Sequence, residues 1–180
     1  DELKWLLLTS LASLGRIDVE RLQRELAASH TATNELRYRT ALAALPDRPR
    51  QAQLWQEVFD GTDSAGNVLS NAALTATATG LKAADNLDGT DRLQVLLDGL
   101  TMIWNSRSNN LATRTINGLF PIRHTPVKGG PQAQDRHPVV TTIDTWLTQH
   151  QDAPAALRRI VIERRADILD RLTAQAAGRK

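Results

Sequence analysis

Apolar residues along this chain recur mainly at helical spacing. The clearest run is Leu93, Leu96, Leu97, Leu100, Ile103 and Trp104, which places one apolar stripe along a predicted helix of about 18 residues. The same spacing returns at Leu54, Trp55, Val58 and Phe59, at Val139, Val140, Ile143, Trp146 and Leu147, and at Leu157, Ile160, Val161, Ile168 and Leu172. Each of these segments can bury one face against a neighbour. The opening segment differs: Leu3, Trp5, Leu6, Leu7, Leu8, Leu11 and Leu14 cover most of a helix circumference. That pattern predicts a helix contacted on several sides, with more neighbours in a longer parent protein.

Polar and conformationally special residues punctuate these segments. Gly15 follows Leu14, Asp18 precedes the Val19 segment, Pro46 closes a Leu36 to Leu45 helix and Pro49 suits the first turn of the next. Thr90 and Asp91 suit the start of the long central helix, Pro121 halts the Leu111 to Phe120 segment, and Pro154 suits the first position of the last helix. Nowhere do apolar and polar residues alternate over a useful length, so no strand is predicted. The stretch from Pro121 to Pro138 carries Pro126, Gly129, Gly130 and Pro131, too many breakers for a helix. It reads as a lid, an interface segment or a disordered loop. The expected architecture is all-α, about nine helices joined by mostly short turns and stacked as antiparallel pairs. No repeating sequence motif accompanies them.

Composition narrows this picture. At 180 residues and 41% hydrophobic content the chain can build one sizeable core, and residues 1–180 are expected to form a single helical domain. Lys and Arg total 22 against 20 for Asp and Glu, which does not point to nucleic acid as a partner. The absence of cysteine removes disulfides, thiolate metal sites and thiol nucleophiles. The longest near-continuous apolar stretch, Trp5 to Leu8, is far shorter than the roughly 20 residues a membrane span requires. A soluble, cytoplasmic protein without membrane association is expected. No secretory leader is visible, and the first residue already heads an amphipathic segment, so the chain reads as a fragment of something longer.

Candidate chemistry is sparse. The histidines are His30, His124, His137 and His150, and none is three or four residues from another, so no H-E-x-x-H pair can place two imidazoles on one metal. No G-x-S-x-G elbow and no glycine-rich phosphate turn occurs. Glu57 with Asp60 and Asp167 with Asp170 have helical spacing, which solvated helix faces explain without acid-base chemistry. Arg158, Arg159, Arg164 and Arg165 are interleaved with Glu163, Asp167 and Asp170, so pairing along the helix accounts for them. Trp5, Trp55, Trp104 and Trp146 lie on apolar stripes and read as core.

Several segments taken in order resemble one family. They are LKWLLLTSLASLGRID, ELAASHTATNELRYRTALAALP, RPRQAQLWQEVFDG, LTMIWNSRSNNLATRTINGLFP and APAALRRIVIERRADILDRLTAQ. Together they resemble the C-terminal helical domain of aminopeptidase N-type (gluzincin) zinc metallopeptidases, especially the actinobacterial type related to the endoplasmic-reticulum aminopeptidases. The resemblance implies an α/α superhelix of HEAT or armadillo type that caps the upstream catalytic domain of the same chain and helps enclose the substrate chamber. The parent enzyme would remove N-terminal residues from peptides with one zinc ion. Its catalytic residues and metal ligands would lie upstream, so no catalytic residue and no cofactor is assigned to this fragment, which alone is expected to be inactive.

In relatives, basic residues on the concave face can contact the distal end of the peptide, where a guanidinium fork suits a carboxylate. Arg107, Arg114 and Arg123 are the candidates here. A free-standing helical-repeat module that binds a protein or peptide in its groove is the alternative reading. An autonomous enzyme has no motif to support it.

Overall fold

A computed structural model describes residues 2–84, 89–121 and 124–178, with the side chains of 89–91 excepted. The chain falls into two compact units, residues 1–87 and 88–180. Among the described residues both are helical, without a strand; one isolated bridge joins Thr62 and Val68.

The first unit contains α1 (Glu2–Ser13), α2 (Val19–Ala28), α3 (Ala32–Ala44), α4 (Arg48–Asp60) and α5 (Asn71–Ala83). Their starts are set by short polar side chains that satisfy an otherwise unpaired backbone N–H. Asp18 accepts from Arg21 N at 2.8 Å, Thr31 from Asn34 N at 3.1 Å, Asp47 from Arg50 N at 3.1 Å and Ser70 from Ala73 N at 3.1 Å. Gly61 ends α4 in the left-handed region, at φ 80°. Pro46 follows α3 and Pro49 sits in the first turn of α4, as their chemistry predicts.

Helix α3 is the hub of this unit, packing against α1, α2, α4 and α5. Its core face is built from small residues, Ala41, Ala43 and Ala44, all without exposed surface. The approach to α5 is correspondingly close. A Cβ on Gly80 would stand 2.1 Å from the Thr40 carbonyl oxygen, so only glycine fits there. Beside it, the Thr40 hydroxyl donates to the Ala76 carbonyl at 3.1 Å, tying the two helices at the same level.

Helix α1 joins this core through Trp5, Leu8 and Ala12, which share one face. The other leucines of the segment are not covered: Leu3 is 68% exposed, Leu6 63%, Leu7 56%, Leu11 41% and Leu14 71%. The expectation of a helix contacted on several sides is therefore met on one side within the described residues.

The second unit contains α6 (Gly89–Ser106), α7 (Asn109–Leu119), a 3-10 helix (Pro131–Arg136), α8 (Pro138–Gln149) and α9 (Ala155–Gly178). The predicted stripe of α6 is buried at Leu93, Leu96, Leu97, Leu100 and Ile103, with Trp104 half-buried. Thr90 and Asp91 fall in its first turn, and their side chains lie outside the described residues. Large aliphatic residues from α7, α8 and α9 complete the core, including Ile116, Val140, Ile143, Leu157, Ile168 and Leu172. The Trp146 indole N–H donates to the Leu97 carbonyl at 3.0 Å, which joins α8 to α6. Pro154 stands one residue before α9 rather than inside it, and its carbonyl accepts from Arg158 N at 3.0 Å.

The described part of the Pro121 to Pro138 stretch is ordered by its own side chains. Gln134 is fully buried: its Oε1 accepts from Val127 N at 3.1 Å, and its Nε2 donates to the carbonyls of Val127 and Gly130, both at 2.9 Å. One amide thus meets three backbone groups, two of them on Val127 outside any regular element. His137 closes the segment and caps α8, its Nδ1 accepting from Val139 N at 3.2 Å while Nε2 meets the Thr125 carbonyl at 3.1 Å. An N–H acceptor on one ring nitrogen and a carbonyl on the other define the neutral Nε2–H tautomer. The 3-10 helix packs against α9, so breaker residues here produce a fitted corner.

Candidate functional site

Two of the three candidate arginines, Arg107 and Arg114, lie at the turn from α6 to α7 and on α7. Ser108 caps α7, and Arg107 stands just before it. The Arg107 Nη1 donates to the Thr115 hydroxyl at 2.8 Å, and Thr115 is buried. Arg107 therefore helps hold the hairpin closed. Arg114 lies on the exposed side of α7, where its Nε donates to Asn110 Oδ1 one turn earlier at 2.8 Å. Arg123 lies outside the described residues. Arg107 and Arg114 thus share one helical hairpin and have different surroundings: the first is half-buried and anchored, the second is displayed to solvent.

The other charged groups are engaged in structure. Glu57 is buried in the first unit and accepts from Arg39 Nη2 at 2.8 Å, while Arg39 Nε donates to the Thr77 hydroxyl. Arg39 so links α3, α4 and α5. Asp60 accepts from Gln56 at the surface, whereas Glu57, expected on a solvated helix face, is buried against Arg39. In the last helix Arg159 meets Glu163 at 3.7 Å and Arg164 meets Asp167 at 3.0 Å. Arg158 donates to the Leu147 and His150 carbonyls, both at 2.7 Å, placing its charge at the negative end of α8. Arg165 binds Asp144 through both carboxylate oxygens, and this hydrogen bonding holds its proton more tightly than usual. The arginine cluster is therefore a set of pairs and caps.

Sequence patterning gave no sign of Arg92. Burial lowers the proton affinity of its guanidinium, and its Nη1 is enclosed without a hydrogen-bond partner among the described residues. It lies just before the Leu93 stripe, where nothing in the local pattern separates a half-buried arginine from a solvated one.

No three His, Cys, Asp or Glu side chains among the described residues gather in a way that would hold a metal ion. His30 meets Glu35 at 3.0 Å on the surface, His150 stacks on Trp146 with centroids 4.5 Å apart, and the His124 and His137 rings lie 5.7 Å apart, tilted. These residues do not fit a zinc site. A cleft between α6 and α8 is lined by Gln94, Asp98, Thr145, Trp146, Gln149 and His150. No helix among the described residues is long and apolar enough to cross a membrane.

No protein-family model matches the chain. Over 180 aligned residues, 98% of its length, it is 31% identical to aminopeptidase N of Streptomyces lividans. It spans 19% of that protein. The ordered resemblance read from the residues and this end-to-end match point to the same protein. Along nearly its whole length, the chain is similar to a segment that makes up about a fifth of an aminopeptidase N.

Proposed function

We propose that this chain is the non-catalytic C-terminal helical domain of a zinc aminopeptidase, in which it caps the catalytic domain and helps enclose the chamber where peptides lose their N-terminal residues. The observation that carries this reading is the match over 98% of the chain to only 19% of an aminopeptidase N, combined with an all-helical fold. Zinc, the general base and the groups that hold the substrate amine would then lie elsewhere in the parent polypeptide. The cytoplasm is the proposed compartment, and the upstream catalytic domain and the peptide substrate are the proposed partners. Stacking of the helix pairs into a HEAT or armadillo-like superhelix belongs to the same proposal.

In this reading the exposed guanidinium of Arg114, with Arg107 and Arg123 near it in sequence, supplies a fork for the distal carboxylate of a peptide. The test uses the full-length parent enzyme and two substrates, an oligopeptide and a small chromogenic amino-acid derivative. Replacing these arginines by alanine is expected to lower kcat/KM for the peptide by roughly tenfold, the value of one lost charge-assisted contact. Turnover of the small substrate is expected to hold. Equal losses on both substrates would remove the arginines from the proposal. A parent protein without zinc-dependent aminopeptidase activity would remove the proposal itself.

A further inference from the structure

The cleft between α6 and α8 measures about 160 Å³. That is below the roughly 300 Å³ at which pockets for whole ligands begin, and it suits a single side chain. Asp98 is the acidic residue of its lining, and among the described residues no Lys or Arg lines it or pairs with Asp98. Most of the other hydrogens in the lining are already taken up. The Trp146 indole N–H goes to the Leu97 carbonyl. The Thr142 hydroxyl donates to the Pro138 carbonyl at 2.9 Å and the Thr145 hydroxyl to the Thr141 carbonyl at 2.8 Å, so both keep only oxygen lone pairs for a visitor. Gln94 Nε2 donates to Asp98 Oδ1 at 2.8 Å, and Gln94 Oε1 is left as an acceptor. His150 Nδ1 meets the Trp146 carbonyl at 3.0 Å; a carbonyl only accepts, so Nδ1 carries the proton and Nε2 of the neutral ring is a further acceptor.

A lining rich in acceptors around one carboxylate repels an anion and suits a cation that brings several N–H donors. Guanidinium meets this demand: it is always charged, holds five donors in a planar fork and has no acceptor to leave unmet. A lysine ammonium is a point charge without the fork. The Trp146 and His150 rings, 4.5 Å apart and within 12° of parallel, give the wall a flat element that matches a planar group. A metal ion is served less well, because no three His, Asp or Glu side chains gather among the described residues. Helical spacing sets Val95 and Met102 on the same side of α6 as Asp98, and both are about half exposed. The rim beyond the carboxylate is therefore apolar.

We propose that the cleft between α6 and α8 binds an arginine side chain of a peptide segment. The guanidinium lies against Asp98, and an apolar residue next to the arginine rests on Val95 and Met102. Every group the site uses belongs to these two helices and the His150 that ends α8, so it stands apart from the aminopeptidase reading and from the arginines assigned there to a carboxylate.

The test uses the full-length parent protein and a probe blocked at both ends, N-acetyl-arginyl-photoleucine amide, whose diazirine links on irradiation to whatever lies beside it. Mass spectrometry is expected to place the link on α6 between Val95 and Met102. Excess N-acetyl-arginine amide should abolish it, and the uncharged citrulline counterpart should not. Replacing the probe's arginine by citrulline, or Asp98→Asn in the protein, is expected to lower the yield roughly tenfold, the value of one charge-assisted hydrogen bond. Thr145→Val removes one neutral acceptor and keeps the carboxylate, so about a threefold loss is expected. Asp98, Thr145 and the control position Asp170 are all exposed, so the three variants should fold alike, and Asp170→Asn should leave the yield unchanged. A link mapped elsewhere, a citrulline or lysine probe as effective as the arginine probe, or a yield indifferent to Asp98→Asn overturns the proposal. So does the absence of a link, which is the result if the parent's own residues already fill the cleft.

Discussion

Helices α1 and α6 are both leucine-rich, yet they use their leucines in opposite ways. In α6 the leucines at 93, 96, 97 and 100 lie within the core of the second unit, and the outward positions Val95 and Met102 are only about half exposed. In α1 the buried face is formed by Trp5, Leu8 and Ala12, while five further leucines in or just after the helix face outward. Composition and helical periodicity are similar in kind. The difference lies in what surrounds each helix: α6 meets α7 and α8 within its unit, whereas α1 meets α3 and α5 across one face. A leucine contributes stability through the water it leaves behind, so the same residue type acts as core in one helix and as an unfilled contact in the other.

The sharpest way to break this comparison is to truncate one leucine in each helix. Leu97→Ala, at a fully packed position, is expected to cost about 2–5 kcal/mol in urea unfolding of the chain. Leu7→Ala on the exposed face is expected to change stability by less than about 0.5 kcal/mol in the same chain. Similar losses at both positions would mean that α1 is already covered on both faces.

The core of the first unit can be tested where it differs most from the aliphatic core of the second. Arg39→Ala leaves the Glu57 carboxylate buried without its guanidinium, and an expected loss of about 3 kcal/mol follows from stranding a buried charge. Gly80→Ala forces a Cβ toward the Thr40 carbonyl, with an expected cost of about 1–3 kcal/mol and a separation of α3 from α5 visible in thermal unfolding. A neutral result at Gly80 would show that the close approach of these helices is not needed.

The smallest effect is expected at the ion pair that joins α1 to α2. The Lys4 hydrogen bond is the largest cause holding the Glu25 carboxyl below its usual range, with Arg21 adding to it and burial opposing both. Folded Glu25 therefore takes up its proton at lower pH than the unfolded chain does. The stability it supplies is fully present above the ordinary carboxylate range and is lost as pH falls through its lower folded value. Because Lys4 is two-fifths exposed and Glu25 half-buried, solvent screens the pair and that stability is below about 1 kcal/mol. Glu25→Gln should flatten this part of the pH dependence between about pH 5 and 3, measured by chemical denaturation across that range.

Much of the helical layout was legible from residue chemistry. The stripes at 93–104, 139–147 and 157–172 became α6, α8 and α9, because a repeat of three and four allows only one continuous apolar face. Asp18, Pro46, Pro49 and Pro121 marked ends because capping and proline geometry act within a few residues. Helix α5, NAALTATATGLKA, buries Leu74, Thr77, Ala78 and Leu81 at helical spacing, but only two of these are large and apolar, and its close approach to α3 depends on the small size of Gly80. The corner before α8 was also illegible, since Gln134 is an ordinary polar residue until folding brings three backbone groups within reach of its amide. Of the candidate site, the sequence led to Arg107 and Arg114, and the structure separates an anchoring arginine from a displayed one.

Local spacing and local capping determined, without tertiary information, that the chain is helical, where its main helices start and stop, and that it lacks the motifs of a metal or nucleophile centre. Those properties depend on atoms within one or two turns of each other. Tertiary structure decided which of two leucine-rich helices is covered, which arginine is committed to Thr115, and why position 80 holds glycine. Burial, pairing and close approach depend on what comes from distant parts of the chain, and a side chain carries no record of its neighbours until the chain has folded.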